Sequence, residues 1–115
     1  MAWTPKEATD EIRAIARSDR LVLSYKLHAR ERLAERDLIA GDVLFALKFG
    51  FVYNDPEPAT RLGYNRYRVE SKTPNSGSRT VGVVVIPDKK GCLLKIVTVM
   101  WIDDGATRAG SIIGE

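Results

Sequence analysis

The second half of the chain holds three strand-like stretches with nothing helical between them. Residues 64–70 alternate strictly, and residues 79–86 and 92–101 are almost continuously apolar. Their connectors are short and polar: Lys72-Thr73-Pro74-Asn75-Ser76-Gly77-Ser78, then Pro87-Asp88-Lys89-Lys90-Gly91. Parallel neighbours need a crossover of about a dozen residues or more, so strands joined this tightly pair antiparallel. The apolar character of the last two predicts central strands covered on at least one face. Helical periodicity is confined to the first half. Helices followed by an antiparallel meander predict an α+β fold rather than α/β.

The helices carry their own punctuation. Thr4, Pro5 and Glu7 supply an N-cap, a first-turn proline and a capping box, predicting a helix over 4–18. Its apolar stripe is Ala8, Ile12, Ile15 and Ala16, with Trp3 able to pack over its start. Leu21-Val22-Leu23 is extended, as a strand or a linker. Ser24 can cap a second helix from Tyr25 to Arg36, with Ala29 and Leu33 inward and Asp37 at a left-handed position beyond its end. A third helix is expected from Ala40 to Phe49, with Asp42 in its first turn, Val43, Leu44 and Leu47 inward, and Gly50 as its stop. Phe51-Val52-Tyr53 is a short strand broken by Asn54-Asp55-Pro56-Glu57-Pro58. Within 64–70, Tyr64, Arg66, Arg68 and Glu70 share one face, and Asn65, Tyr67 and Val69 the other. Residues 103–115 lack periodicity and are expected to form a loosely ordered tail, in which Ile112-Ile113 can dock.

Length makes 1–115 a single domain with one core. No apolar run approaches the roughly 20 residues of a membrane span, and the N-terminus lacks a signal-peptide pattern. Cys92 is the only cysteine, which excludes an internal disulfide and points to a reducing cytoplasm. It begins a strand and reads as a small buried hydrophobe. One cysteine and one histidine also argue against a Cys/His metal site. The net charge of +3 is uneven: Arg61, Arg66, Arg68, Lys72 and Arg79 stand against Glu70 alone, a local +4. Such an excess can attract a polyanion. A solvated hairpin edge kept from aggregating by cations has the same composition.

The sole histidine, His28, opens the run His28-Ala29-Arg30-Glu31-Arg32-Leu33-Ala34-Glu35-Arg36. On a helix, His28, Arg32 and Arg36 project from one side, beside the buried line of Ala29 and Leu33. A side chain that ordinarily titrates near neutrality thus stands beside two permanent guanidiniums, which suits phosphodiester cleavage. A salt-bridged surface helix, with Arg36 pairing Glu35 or Asp42, is the plainer reading.

His28-Ala29-x-x-Arg32-Leu33-x-Glu35-Arg36, followed by Asp42-Val43, Gly50, Tyr67-Arg68-Val69 and Ile96-Val97-Thr98-Val99, resembles the family called domain of unknown function 4258. The resemblance spans about residues 21–102, leaving the 4–18 helix as an addition. It departs from the family pattern at Lys26, where a Ser or Thr is usual, and at Asp37 and Ile39, which stand for a Gly and a capping Ser. It implies kinship with small toxin ribonucleases of the RelE and barnase-like superfamily, with helices packed on a four-stranded antiparallel sheet. The implied activity is that of a metal-independent RNA endonuclease, a hydrolase without cofactor. It would act as a toxin of a toxin–antitoxin or related conflict system, with RNA and a neutralising antitoxin or immunity protein as partners.

On that reading His28 transfers a proton, Arg32 and Arg36 bind the phosphate and its transition state, and Tyr67, Arg68 and Thr98 are candidate sheet-side partners. Arg61, Arg66, Arg68, Lys72 and Arg79 are the candidate RNA contacts. With one histidine, the second proton-transfer role is left to an arginine, a tyrosine or water. Trp101 with Asp103-Asp104 could form a rim, though Trp101 reads more simply as packing. A non-catalytic RNA- or protein-binding module on the same fold is the alternative, and a structural protein with solvent-facing charges is a third.

Overall fold

The computed structural model describes residues 2–102. The elements are α1 (Pro5–Ala16), β1 (Val22–Tyr25), α2 (Leu27–Glu35), α3 (Ala40–Phe49), β2 (Phe51–Val52), β3 (Glu57–Pro58), β4 (Asn65–Ser71), β5 (Thr80–Asp88) and β6 (Leu93–Ile102). The expected tail at 103–115, the docking of Ile112-Ile113 and the Asp103-Asp104 rim lie outside the described residues. The class is α+β, as the order of patterns requires. The sheet, however, has six strands, not four, in the order β1-β6-β5-β4-β2 with β3 also on β4.

It is also mixed. β1 runs parallel to β6, from Val22 opposite Leu93 to Tyr25 opposite Ile96. The long excursion through every other element supplies the crossover that a parallel pair needs. This pairing corrects the expected start of the second helix. Ser24 and Tyr25 belong to the strand, the Lys26 N–H donates to the Ile96 carbonyl at 3.0 Å, and α2 begins at Leu27. Lys26 occupies the N-cap and makes no side-chain cap, so α2 is held by what it packs against rather than by local signals.

One face of the sheet is buried. Tyr67 and Val69 of β4, Val81, Val83 and Val85 of β5, and Leu94, Ile96 and Val99 of β6 belong to the same core as the apolar stripes of α1 and α3. Alternation puts Arg66, Arg68, Val84 and Ile86 on the other face, where they are only half-buried. Between β5 and β6 the register slips: Val84 faces Thr98 but Val85 faces Ile96. Val97 is the extra residue of a bulge, and both Val97 and Thr98 therefore turn to the open face.

Local chemistry fixes α1 and α3. Thr4 accepts from the Glu7 N–H at 3.2 Å, and Glu7 accepts from the Thr4 N–H at 2.9 Å, completing the predicted box. Asp37 adopts the anticipated left-handed conformation, with φ 56°. Cys92 is left-handed too, at φ 51°, and lies half-buried in the turn before β6 rather than buried within the strand. Gly50 ends α3 with extended backbone, so its role is close approach rather than left-handedness. A Cβ there would lie 2.5 Å from the Ala46 carbonyl oxygen and 2.8 Å from that of Glu70.

Asp42 is 2% exposed and serves two elements. Its carboxylate accepts from the Ile39 N–H at 3.0 Å, capping α3, and from Thr73 Oγ1 at 2.6 Å and Asn75 Nδ2 at 3.0 Å in the β4–β5 connector. Burial pushes its pKa up, but the donors from Thr73, Ile39 and Asn75 together hold it below the ordinary 3.8.

Two stability predictions follow from these contacts. Gly50→Ala drives a methyl into backbone oxygens that cannot yield, and should cost about 3 kcal/mol in urea unfolding; an unchanged midpoint would contradict the close approach. Asp42→Asn should cost about 1–3 kcal/mol at pH 7. A depressed folded-state pKa gives stability that is present above the unfolded value and lost as pH falls through the folded one. The gap between wild type and Asp42→Asn should therefore narrow below about pH 4, and a gap that stays constant from pH 7 to pH 2 would contradict the assignment.

Candidate functional site

Helix α2 takes over the edge of β6 where β1 stops. It starts beside Ile96, through the Lys26 N–H, and ends beside Trp101, whose indole Nε1 donates to the Arg36 carbonyl at 3.2 Å. Ala29 is fully buried and Leu33 packs against the core, which orients the helix. The stripe four residues apart is thereby turned toward the open face of the sheet.

A cleft of about 500 Å³ results, lined by His28, Arg32 and Arg36 from α2, Arg66 and Arg68 from β4, and Thr98 from β6. Three residues not singled out as site residues in the sequence, Asn54, Asp55 and Glu57, also line it. Asn54 and Asp55 lie in the break between β2 and β3, and Glu57 opens β3. Val52 faces Val69 whereas Glu57 faces Arg66, so five steps along one chain span three along the other. The surplus residues lift away from β4 at the cleft. The sequence signal was the proline-bounded interruption itself.

The cleft's charges are arranged unequally. Glu35 pairs with Arg32 and lies 3.5 Å from Arg36, so one carboxylate serves two guanidiniums. The Arg32 and Arg36 side chains are 32% and 26% exposed against 55% for Glu35, which places the anion outside and the cations within. Arg36 thus pairs with Glu35 and not with Asp42. Arg66 meets its cross-strand neighbour Glu57 at 3.3 Å, and Arg68 meets Glu70 at 3.2 Å. The pairs of Arg32 and Arg36 with Glu35 and of Arg66 with Glu57 are partly exposed and worth about 0–1 kcal/mol each, so a phosphate can compete for those guanidiniums, whereas Glu70 beside Arg68 is buried. Arg66 Nε is buried and has no hydrogen-bond partner among the described residues.

Tyr67 is set differently from its neighbours. It alternates with Arg66 and Arg68 and so points to the helix side, where its hydroxyl accepts the Trp3 N–H at 2.8 Å and its ring lies 5.6 Å from that of Trp3. Burial pushes its phenol up; the Trp3 N–H opposes this and the Glu7 charge adds to it. It lines the cleft without presenting its hydroxyl there.

The basic group of residues 61–79 also divides. Arg66 and Arg68 enter the cleft. Arg61 stacks over Tyr64 at 5.0 Å in a neighbouring cavity, Lys72 lies at the β2 edge near Phe51 and Tyr53, and Arg79 covers the Trp101 ring at 4.0 Å. Trp101 is a half-buried packing residue that holds Arg36 in place. Among the described residues, no three His, Cys, Asp or Glu side chains gather as a cation site would need.

The family model described as Domain of unknown function (DUF4258) matches residues 25–101. That stretch contains every residue lining the cleft and leaves out α1. Neither the curated proteins nor the solved structures yield a match.

Trp101→Phe should keep the ring under Arg79 and remove only the bond to α2. The expected cost is about 1 kcal/mol, with faster amide exchange in the last turn of α2. Unchanged exchange at Arg32 through Arg36 would mean that the indole does not hold the helix.

Proposed function

Since the chain belongs to the DUF4258 family and the matched region contains the whole cleft, we propose that it is a cytoplasmic, metal-independent RNA endonuclease of the RelE/barnase-like kind. The supporting observation is the convergence in one cleft of a histidine, the carboxylate of Asp55 and four guanidiniums. Asp55 is the group that the sequence reading lacked, because it can fill the second proton-transfer role beside His28.

The chemistry then runs as follows. The ribose 2′-oxygen attacks the adjacent phosphorus while its proton passes to Asp55. Charge building on the phosphorane oxygens is met by Arg32, Arg36 and Arg66, whose guanidiniums match paired phosphate oxygens. The bond to the 5′-oxygen breaks as that oxygen takes a proton from His28. The products are a 2′,3′-cyclic phosphate and a 5′-hydroxyl. Thr98, turned into the cleft by the bulge, donates a hydrogen bond to the phosphate. An unregulated nuclease of this kind calls for an antitoxin or immunity protein that covers the cleft, and the cationic α2 stripe favours an acidic one.

Purified protein should cut single-stranded RNA at low salt, leaving cyclic phosphate ends, and should spare a strand with 2′-deoxyribose at the cleavage position. His28→Ala and Arg32→Ala should each lower kcat by about 100-fold or more with unchanged circular dichroism. Binding of RNA without cleavage would replace this reading with the non-catalytic module, and full activity in His28→Ala would remove the histidine from its role.

A further inference from the structure

The open face continues beyond the cleft. A second cavity of about 230 Å³ adjoins it, and Arg66 and Val97 line both. Its floor is aliphatic, made of Ile86, Leu93 and Val97, which share the open face by alternation. Its wall is the half-buried Tyr64, two residues before Arg66 on the same face. The Arg61 guanidinium lies over that ring at 5.0 Å, and the Tyr64 hydroxyl is 3.4 Å from Asp88 Oδ2. Lys26 and Lys95 add positive charge around it.

We propose that this second cavity is a nucleobase subsite for RNA, seating the base next to the phosphate held in the cleft; the proposal rests on the RNA reading of that cleft. Each part of the cavity matches a part of a nucleotide. A base has two apolar faces, which an aliphatic floor and an aromatic wall can cover, and an Arg guanidinium extends the stacking surface. Its edge carries N–H donors, and Asp88 offers an acceptor carboxylate. Arg66 stands where the two cavities meet, as a residue holding the phosphate between base and scissile bond requires. The cavity is smaller than the roughly 300 Å³ at which drug-sized sites begin, and it suits one planar ring system. Lys26 and Lys95 can meet a flanking phosphate.

The test is calorimetric titration of the full chain with a 2′-O-methyl trinucleotide, which cannot be cleaved, and with its abasic counterpart. The base-bearing ligand should bind about tenfold more tightly, in the range of base–aromatic stacking. Tyr64→Ala should abolish that difference and leave the abasic affinity unchanged, while Tyr64→Phe should preserve it. Arg61→Ala, at an exposed position that does not endanger folding, should lose about threefold for the base-bearing ligand alone, in line with a cation–π contribution of ~0.5–1 kcal/mol. Equal affinities for the two ligands in wild type would overturn the subsite. So would a Tyr64→Ala affinity equal to wild type while Arg32→Ala weakens binding, an outcome that leaves the cleft reading intact. Failure of both ligands to bind would overturn the subsite and the cleft reading together.

Discussion

Everything about the cleft depends on how α2 is fastened to the edge of β6. β1 pairs with the lower half of that strand and stops at Ile96, leaving the upper half for the helix. From Lys26 to Arg36 a helix rises ~15 Å, and from Ile96 to Trp101 a strand advances ~16 Å, so the helix covers the remaining edge from end to end. The Lys26 N–H and the Trp101 indole mark the two ends of that overlap. Without a side-chain cap, α2 takes its position from these contacts and from Ala29 beneath it. The direction in which His28, Arg32 and Arg36 point is a consequence of this packing.

The sheet then does opposite things on its two faces. On one, valines of β4 and β5 meet α1 and α3 and the core closes completely. On the other, arginines of β4 and the bulged Val97-Thr98 pair face the space under α2. Each guanidinium there has a carboxylate within reach, yet Arg32 and Arg36 share a single one that lies toward solvent. Among the residues that line the cleft itself, four guanidiniums stand against the carboxylates of Asp55 and Glu57, a surplus of positive charge toward an incoming phosphate.

Much of this was legible in the residues. The cap at Thr4, the bounds of α3 and the left-handed Asp37 are local events written in a few neighbouring side chains. The alternation of β4 was legible too, and it already separated Tyr67, whose hydroxyl accepts the Trp3 N–H, from Arg66 and Arg68. What stayed hidden was non-local. The parallel pairing of β1 depends on β6, seventy residues away, and it drew Ser24 and Tyr25 out of the helix. The bulge at Val97 is a register property of two strands, and Asp55 enters the cleft because β2 and β3 are two pieces of one interrupted edge. Neither follows from periodicity in a single segment.

The central claim is that α2 and the open face of the sheet together form one phosphate-binding cleft. The most direct measurement is an NMR titration of the full chain with a 2′-deoxy dinucleotide, following the His28 ring and the arginine Nε–H signals. The account predicts that His28, Arg32, Arg36 and Arg66 move together along one binding curve, while the Trp3 indole, on the helix side of the sheet, stays still. Shifts confined to Lys72 and Arg79, with the α2 stripe unmoved, would contradict it.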